Sequence, residues 1–157
     1  MPSLTVSSIG HFLLKSGKWM KYVGSKDPIV FFLVDIAGYD RHLVEDRTTN
    51  EMMEAMTLFD SVINSPSFSS ATPVVVFSNI DLFKEKAERS PVRHSFPEYT
   101  GGPKFDEAVK YFGSRFRHLY RGGKEFHAIN VEPEDRFSLK RCVELLCDLI
   151  IQENLGI

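Results

Sequence analysis

Three short stretches of the chain carry side chains of the kind that meet a nucleotide. In Phe31–Arg41 an apolar run ends in Asp35-Ile36-Ala37-Gly38, a D-x-x-G pattern that can bring a carboxylate near Mg²⁺ and a γ-phosphate. Two fixed positions in four recur often by chance. A strand-end turn uses the same residues, with Asp35 capping and Gly38 allowing the bend. Ser16-Gly17-Lys18-Trp19 matches part of the phosphate-binding pattern G-x-x-x-x-G-K-[ST]. There, backbone N–H groups curl around phosphate and a hydroxyl after the Lys holds Mg²⁺. Phe12 and Trp19 stand where that pattern needs Gly and Ser or Thr, so the match fails at both points.

Ser78-Asn79-Ile80-Asp81 follows an apolar run and approximates N-K-x-D, a guanine-reading pattern. Its Asp accepts from guanine N1 and the exocyclic amine, a pair of donors that adenine lacks. The Asn and Lys shape and cover the base. Asp81 is present and Asn79 is near, but the Lys is missing. Either Asn79 keeps the Asn role with one residue deleted, or Ser78 stands there without a gap. A helix N-cap at Asp81 is the plain alternative. No H-E-x-x-H, G-x-S-x-G or paired Cys/His spacing occurs, which leaves zinc and serine-nucleophile chemistry without support. The five histidines are scattered and read as surface or packing residues.

The elements that would position these residues alternate. Ile29–Val34 and Pro73–Phe77 are unbroken apolar runs of the kind buried on both faces of a parallel sheet, and Glu125–Val131 is a weaker third strand. Met52, Met56, Phe59 and Ile63 recur at helical spacing within Glu45–Ile63, which Asn64-Ser65-Pro66 ends. Residues 81–86 predict a short helix. Gly101-Gly102-Pro103 opens a helix whose apolar face is Phe105, Ala108, Val109, Phe112, Phe116 and Leu119. Phe137–Leu155 forms the last. Strand and helix alternate three times, predicting an α/β doubly wound parallel sheet with helices on both faces.

A length of 157 residues fits one domain, and 43% apolar with 25% charged residues is ordinary for a soluble protein. A net charge of −2 gives no reason to expect nucleic acid as a partner. Cys142 and Cys147 have no C-x-x-C companion, so reduced thiols in a cytoplasmic protein are expected. No signal peptide or long apolar run appears, and Pro2 stands where N-myristoylation needs Gly, so any membrane association is expected through recruitment.

From Trp19 onward the order of residues resembles the C-terminal half of a heterotrimeric G-protein α subunit of fungal type. The resemblance is carried by Tyr39-Asp40-Arg41-His42-Leu43-Val44-Glu45-Asp46, Leu58-Phe59-Asp60-Ser61 and Asp81-Leu82-Phe83-Lys84-Glu85-Lys86. Ser90-Pro91, Phe96-Pro97-Glu98-Tyr99-Thr100-Gly101-Gly102 and Ile150-Ile151-Gln152-Glu153-Asn154-Leu155 add to it. It implies a partial Ras-like (P-loop NTPase) domain over 19–157, preceded by a divergent segment, 1–18, with the upstream strands and helical domain missing. In the family, the Phe31–Ile36 strand ends in a Tyr-Asp turn, here Tyr39-Asp40. The family's D-x-x-G lies upstream, so the one at Asp35 is a chance likeness. At the corresponding place Ser8 replaces the Mg²⁺-linked Asp, Gly10 keeps one Gly, His11 replaces the next, and Phe12 sits at the water-positioning Gln.

The resemblance further implies GTP/GDP with Mg²⁺ as cofactors. The βγ dimer, a G-protein-coupled receptor and effectors are the implied partners. Guanine would meet Asn79, Asp81 and a small residue at Ala128 or Ile129. Trp19, Leu58, Val62 and Phe68 match a groove for effector or βγ, and Ile150, Ile151, Asn154 and Leu155 match the receptor-facing helix end. No residue takes the catalytic or metal-binding roles. Two expectations follow: a GTP-hydrolysing transducer, or a nucleotide-independent binding module, with a non-functional gene fragment as a third possibility. The lost phosphate-side residues favour a truncated chain that neither holds GTP tightly nor hydrolyses it.

Overall fold

The structure is a computed structural model and describes residues 27–132 and 135–155. Strands β1 (Ile29–Asp35), β2 (Thr72–Ser78) and β3 (His127–Asn130) form a parallel sheet in the order β1-β2-β3. Helices α1 (Glu51–Ile63), α2 (Ile80–Ala87), α3 (Phe105–Leu119) and α4 (Arg136–Leu155) separate and follow the strands. The predicted α/β alternation holds, and β2, an unbroken Pro-Val-Val-Val-Phe run, is buried on both faces as its composition requires.

One sheet face carries Val34, Val75 and Phe77 and packs against Met52, Met56, Phe59 and Ile63 of α1 and Phe112 and Phe116 of α3. Its aromatic rings meet edge to face: Phe32–Phe59 at 5.4 Å between centroids and Phe59–Phe116 at 5.3 Å. On the other face, Val74 and Val76 pack with Ile29, Ile129, Val131 and Leu145 of α4. Helices therefore lie on both faces.

The helix predicted from Glu45 begins at Glu51 instead. Asp46 accepts from the Thr48 N–H and hydroxyl and from the Thr49 hydroxyl, and such local bonds favour a turn over a helix. Asn50 then caps α1, its Oδ1 accepting from the N–H groups of Met52 and Met53 at 2.9 and 3.1 Å. At the far end, Asn64 Nδ2 donates to the Leu119 carbonyl at 2.8 Å, joining the ends of α1 and α3. In β3, only four of the seven residues predicted as strand pair with β2.

Candidate functional site

In open α/β sheets ligands bind outside the carboxyl ends of the strands. At that edge stand Asp35 after β1, Asn79 and Asp81 after β2, and Asn130 to Glu132 after β3.

The carboxylate of Asp35 is engaged locally. It accepts from the Ala37 N–H at 2.9 Å, capping the 3₁₀ turn Ile36–Asp40, and pairs with Arg41. Arg41 Nε also donates to Glu51 Oε2 at 2.9 Å, which ties the end of β1 to the start of α1. Burial alone would lower the Arg41 pKa, but hydrogen bonds to Asp35 and Glu51 and their charges outweigh it and hold the pKa above its ordinary value. At Gly38 a Cβ would stand 2.8 Å from Glu51 Oε2 and 3.2 Å from the Arg41 guanidinium, so a side chain there would push the ends of this ion pair aside. The D-x-x-G is thus the strand-end cap of the plain reading, with Gly38 beside the ion pair.

After β2, Asn79 takes the left-handed conformation (φ 58°, ψ 41°) and makes no side-chain capping bond. Asp81, in the first turn of α2, points its carboxylate into solvent, 85% exposed and 3.9 Å from Lys84 Nζ. Its backbone N–H donates to Glu132 Oε1 at 3.1 Å. Asn79, not Asp81, occupies the N-cap position.

Ala128 is not at this edge. It pairs with Val75 in mid-strand, and a Cβ added to Gly113 of α3 would lie 3.6 Å from its own. The residue of β3's exit that reaches Asp81 is Glu132, which belongs to none of the nucleotide-binding patterns above. Asn130 Oδ1 is buried without a hydrogen-bond partner among the described residues.

The nucleotide and Mg²⁺ implied by the resemblance fit these residues only at the base, where the Asp81 carboxylate is open. Among the described residues, no group of His, Cys, Asp and Glu is disposed to hold a metal ion. Ser8, Gly10, His11, Phe12, Lys18 and Trp19 lie outside the described residues.

A second constellation joins three of the stretches that carried the resemblance. Tyr39, fully buried, donates its hydroxyl to the Ser90 carbonyl. Lys86 Nζ donates to the Ala37 carbonyl at 2.7 Å and to Asp40, and stands 5.3 Å from the centre of the Tyr39 ring. Burial pushes the Asp40 carboxyl up, but hydrogen bonds from Lys86 and Ser90 and the Lys86 charge outweigh it and hold the pKa below the ordinary 3.8. Burial also raises the pKa of Tyr39, and the Asp40 charge adds to the rise. In a fourth such stretch, Phe96 and Tyr99 are buried and Glu98 pairs with Arg115 of α3. These residues fasten loops to the core.

Of the groove residues, Val62 and Phe68 are buried in the core, at 7% and 5% exposure, which leaves Leu58 half-buried with surface to offer. Ile151 is 53% exposed on α4. Ile150, Asn154 and Leu155 lie in the same helix, and their side chains fall outside the description.

Residues 14–150 match the family described as G-protein alpha subunit. The chain is 39% identical over 127 residues to the guanine nucleotide-binding protein subunit alpha of Cochliobolus heterostrophus, covering 80% of this chain and 36% of that one. It is 42% identical over 129 residues to the guanine nucleotide-binding protein alpha-2 subunit of Neurospora crassa, with the same coverage. Against the guanine nucleotide-binding protein subunit alpha of Candida albicans it is 36% identical over 128 residues, covering 30% of that protein. The chain thus spans about a third of the length of the curated relatives it matches.

Proposed function

Because the chain belongs to the G-protein alpha subunit family, we propose that it is a G-protein α-like signalling domain that works through protein contacts and holds guanine nucleotide weakly. The observation that carries this reading is the state of Asp81. Its carboxylate is open to a guanine edge, but its N–H is taken by Glu132, and Ala128 lies in mid-strand. A single charged base contact contributes about 1–3 kcal/mol, which alone corresponds to binding no tighter than about millimolar. The 157 residues contain no G-x-x-x-x-G-K-[ST] sequence to cradle phosphates.

The partners this reading assigns are a βγ dimer, a receptor or an effector, met at the cytoplasmic face of the plasma membrane. The described surface nearest the family's groove is Leu58, and the outer side of α4 presents Ile151. Pull-down of a βγ dimer by the purified chain tests it. The expected result is retention that is the same with GTP, with GDP and without nucleotide, and reduced in Leu58→Asp. Retention only in the presence of GDP or GTP would overturn it.

A further inference from the structure

The end of α2, the 3₁₀ turn Val92–His94 and the loop 99–103 enclose a cavity of about 380 Å³, a volume typical of small-molecule sites. Ala87, Val92 and Tyr99 give it an apolar wall, and all three are held in the core. The wall is set in advance by local bonds. The Tyr99 hydroxyl donates to the Gly102 carbonyl at 2.8 Å, and the Gly102 N–H donates to Glu107 Oε2 at 2.7 Å. The N–H groups of Ser95 and Phe96 both donate to the Val92 carbonyl, at 3.1 and 2.9 Å. A ligand entering such a pocket does not have to order it first. Two opposite charges, Glu88 and Arg93, line the same cavity, and both are exposed. Among the described residues neither makes an ion pair or a side-chain hydrogen bond, whereas their neighbours Glu85 and Arg89 pair with each other at 3.0 Å.

We propose that this cavity binds a small zwitterion with an apolar side chain, an amino acid or a dipeptide. The apolar side chain lies against Val92 and Tyr99, the ammonium group meets Glu88, and the carboxylate meets Arg93. A ligand with one charge would satisfy only one of the two unpaired groups, and an uncharged ligand neither. Both protein charges face solvent, so each contact contributes the small amount of an exposed ion pair. The affinity is therefore expected to be about millimolar.

The test is titration of free phenylalanine and of the dipeptide Leu-Phe into the isotope-labelled full chain, followed by amide NMR. Saturable shifts at the amides of Arg93, Gly101 and Gly102 are expected with at least one of the two, and the one that binds identifies the source. Acetylating the amine of that ligand, or amidating its carboxylate, should each weaken binding about threefold. Glu88→Gln should remove the penalty for acetylation alone, and Arg93→Gln the penalty for amidation alone. Both side chains are exposed, so the variants should unfold at the wild-type urea midpoint. No saturable shift with either ligand up to about 10 mM would overturn the proposal. So would shifts confined to other amides, or equal affinity for the free and the doubly blocked ligand.

Discussion

The backbone N–H of Asp81 donates to Glu132 Oε1 at 3.1 Å, fastening the exit of β3 to the first turn of α2. The two residues are 51 apart in sequence, and the bond ties the exits of β2 and β3 together at the carboxyl edge of the sheet. Asn79, between β2 and α2, holds the left-handed conformation that this turn requires.

Left-handed backbone costs most side chains roughly 1–2 kcal/mol, and Asn tolerates it better than Ala. Asn79→Ala should therefore destabilise by about 1 kcal/mol and Asn79→Gly by less. Urea unfolding midpoints of the two variants check the order; an Asn79→Ala protein as stable as the Gly variant would contradict it.

The Tyr39–Asp40–Lys86–Ser90 constellation makes stability depend on acid. Asp40 has a folded pKa below 3.8, so its contribution is fully present above that value and is lost as the pH falls through the lower folded value. Lys86→Met, which leaves Asp40 and the Ala37 carbonyl without their donor, should cost about 1.5–3 kcal/mol at pH 7. The gap between variant and wild type should narrow below pH 3.8. Thermal unfolding from pH 7 to pH 3 measures it, and a gap that does not change with pH would count against the role assigned to Asp40.

Phe32 and Leu33 are neighbours on β1 that point to opposite faces. Phe32 packs against Phe59 and Phe116, whereas Leu33 is 70% exposed. Phe32→Ala should cost about 3 kcal/mol, and Leu33→Ser within about 0.5 kcal/mol of nothing. Comparable losses at the two positions would mean that the face of β1 is assigned wrongly.

The fold was legible because β1 and β2 are unbroken β-branched and aromatic runs and the helices repeat apolar residues at 3.6 spacing. The start of α1 was not, since Glu45-Asp46 reads as a helical first turn until the Asp46 side chain is seen bonding Thr48 and Thr49. At the site, Asp35 as a cap was legible from its place after a strand. The role of Lys86 was not legible, because its partners Ala37 and Asp40 lie on another element. Glu132 carried no sequence signal, and Ala128 looked close to Asp81 only until strand register placed it beside Val75.

Nucleotide affinity tests directly the proposal that this chain holds guanine nucleotide weakly. Titration of a fluorescent GTP analogue into the purified chain, with Mg²⁺ and with EDTA, is expected to give no saturation below about millimolar, equally in both. Micromolar, Mg²⁺-dependent binding that is abolished by Asp81→Ala would contradict it.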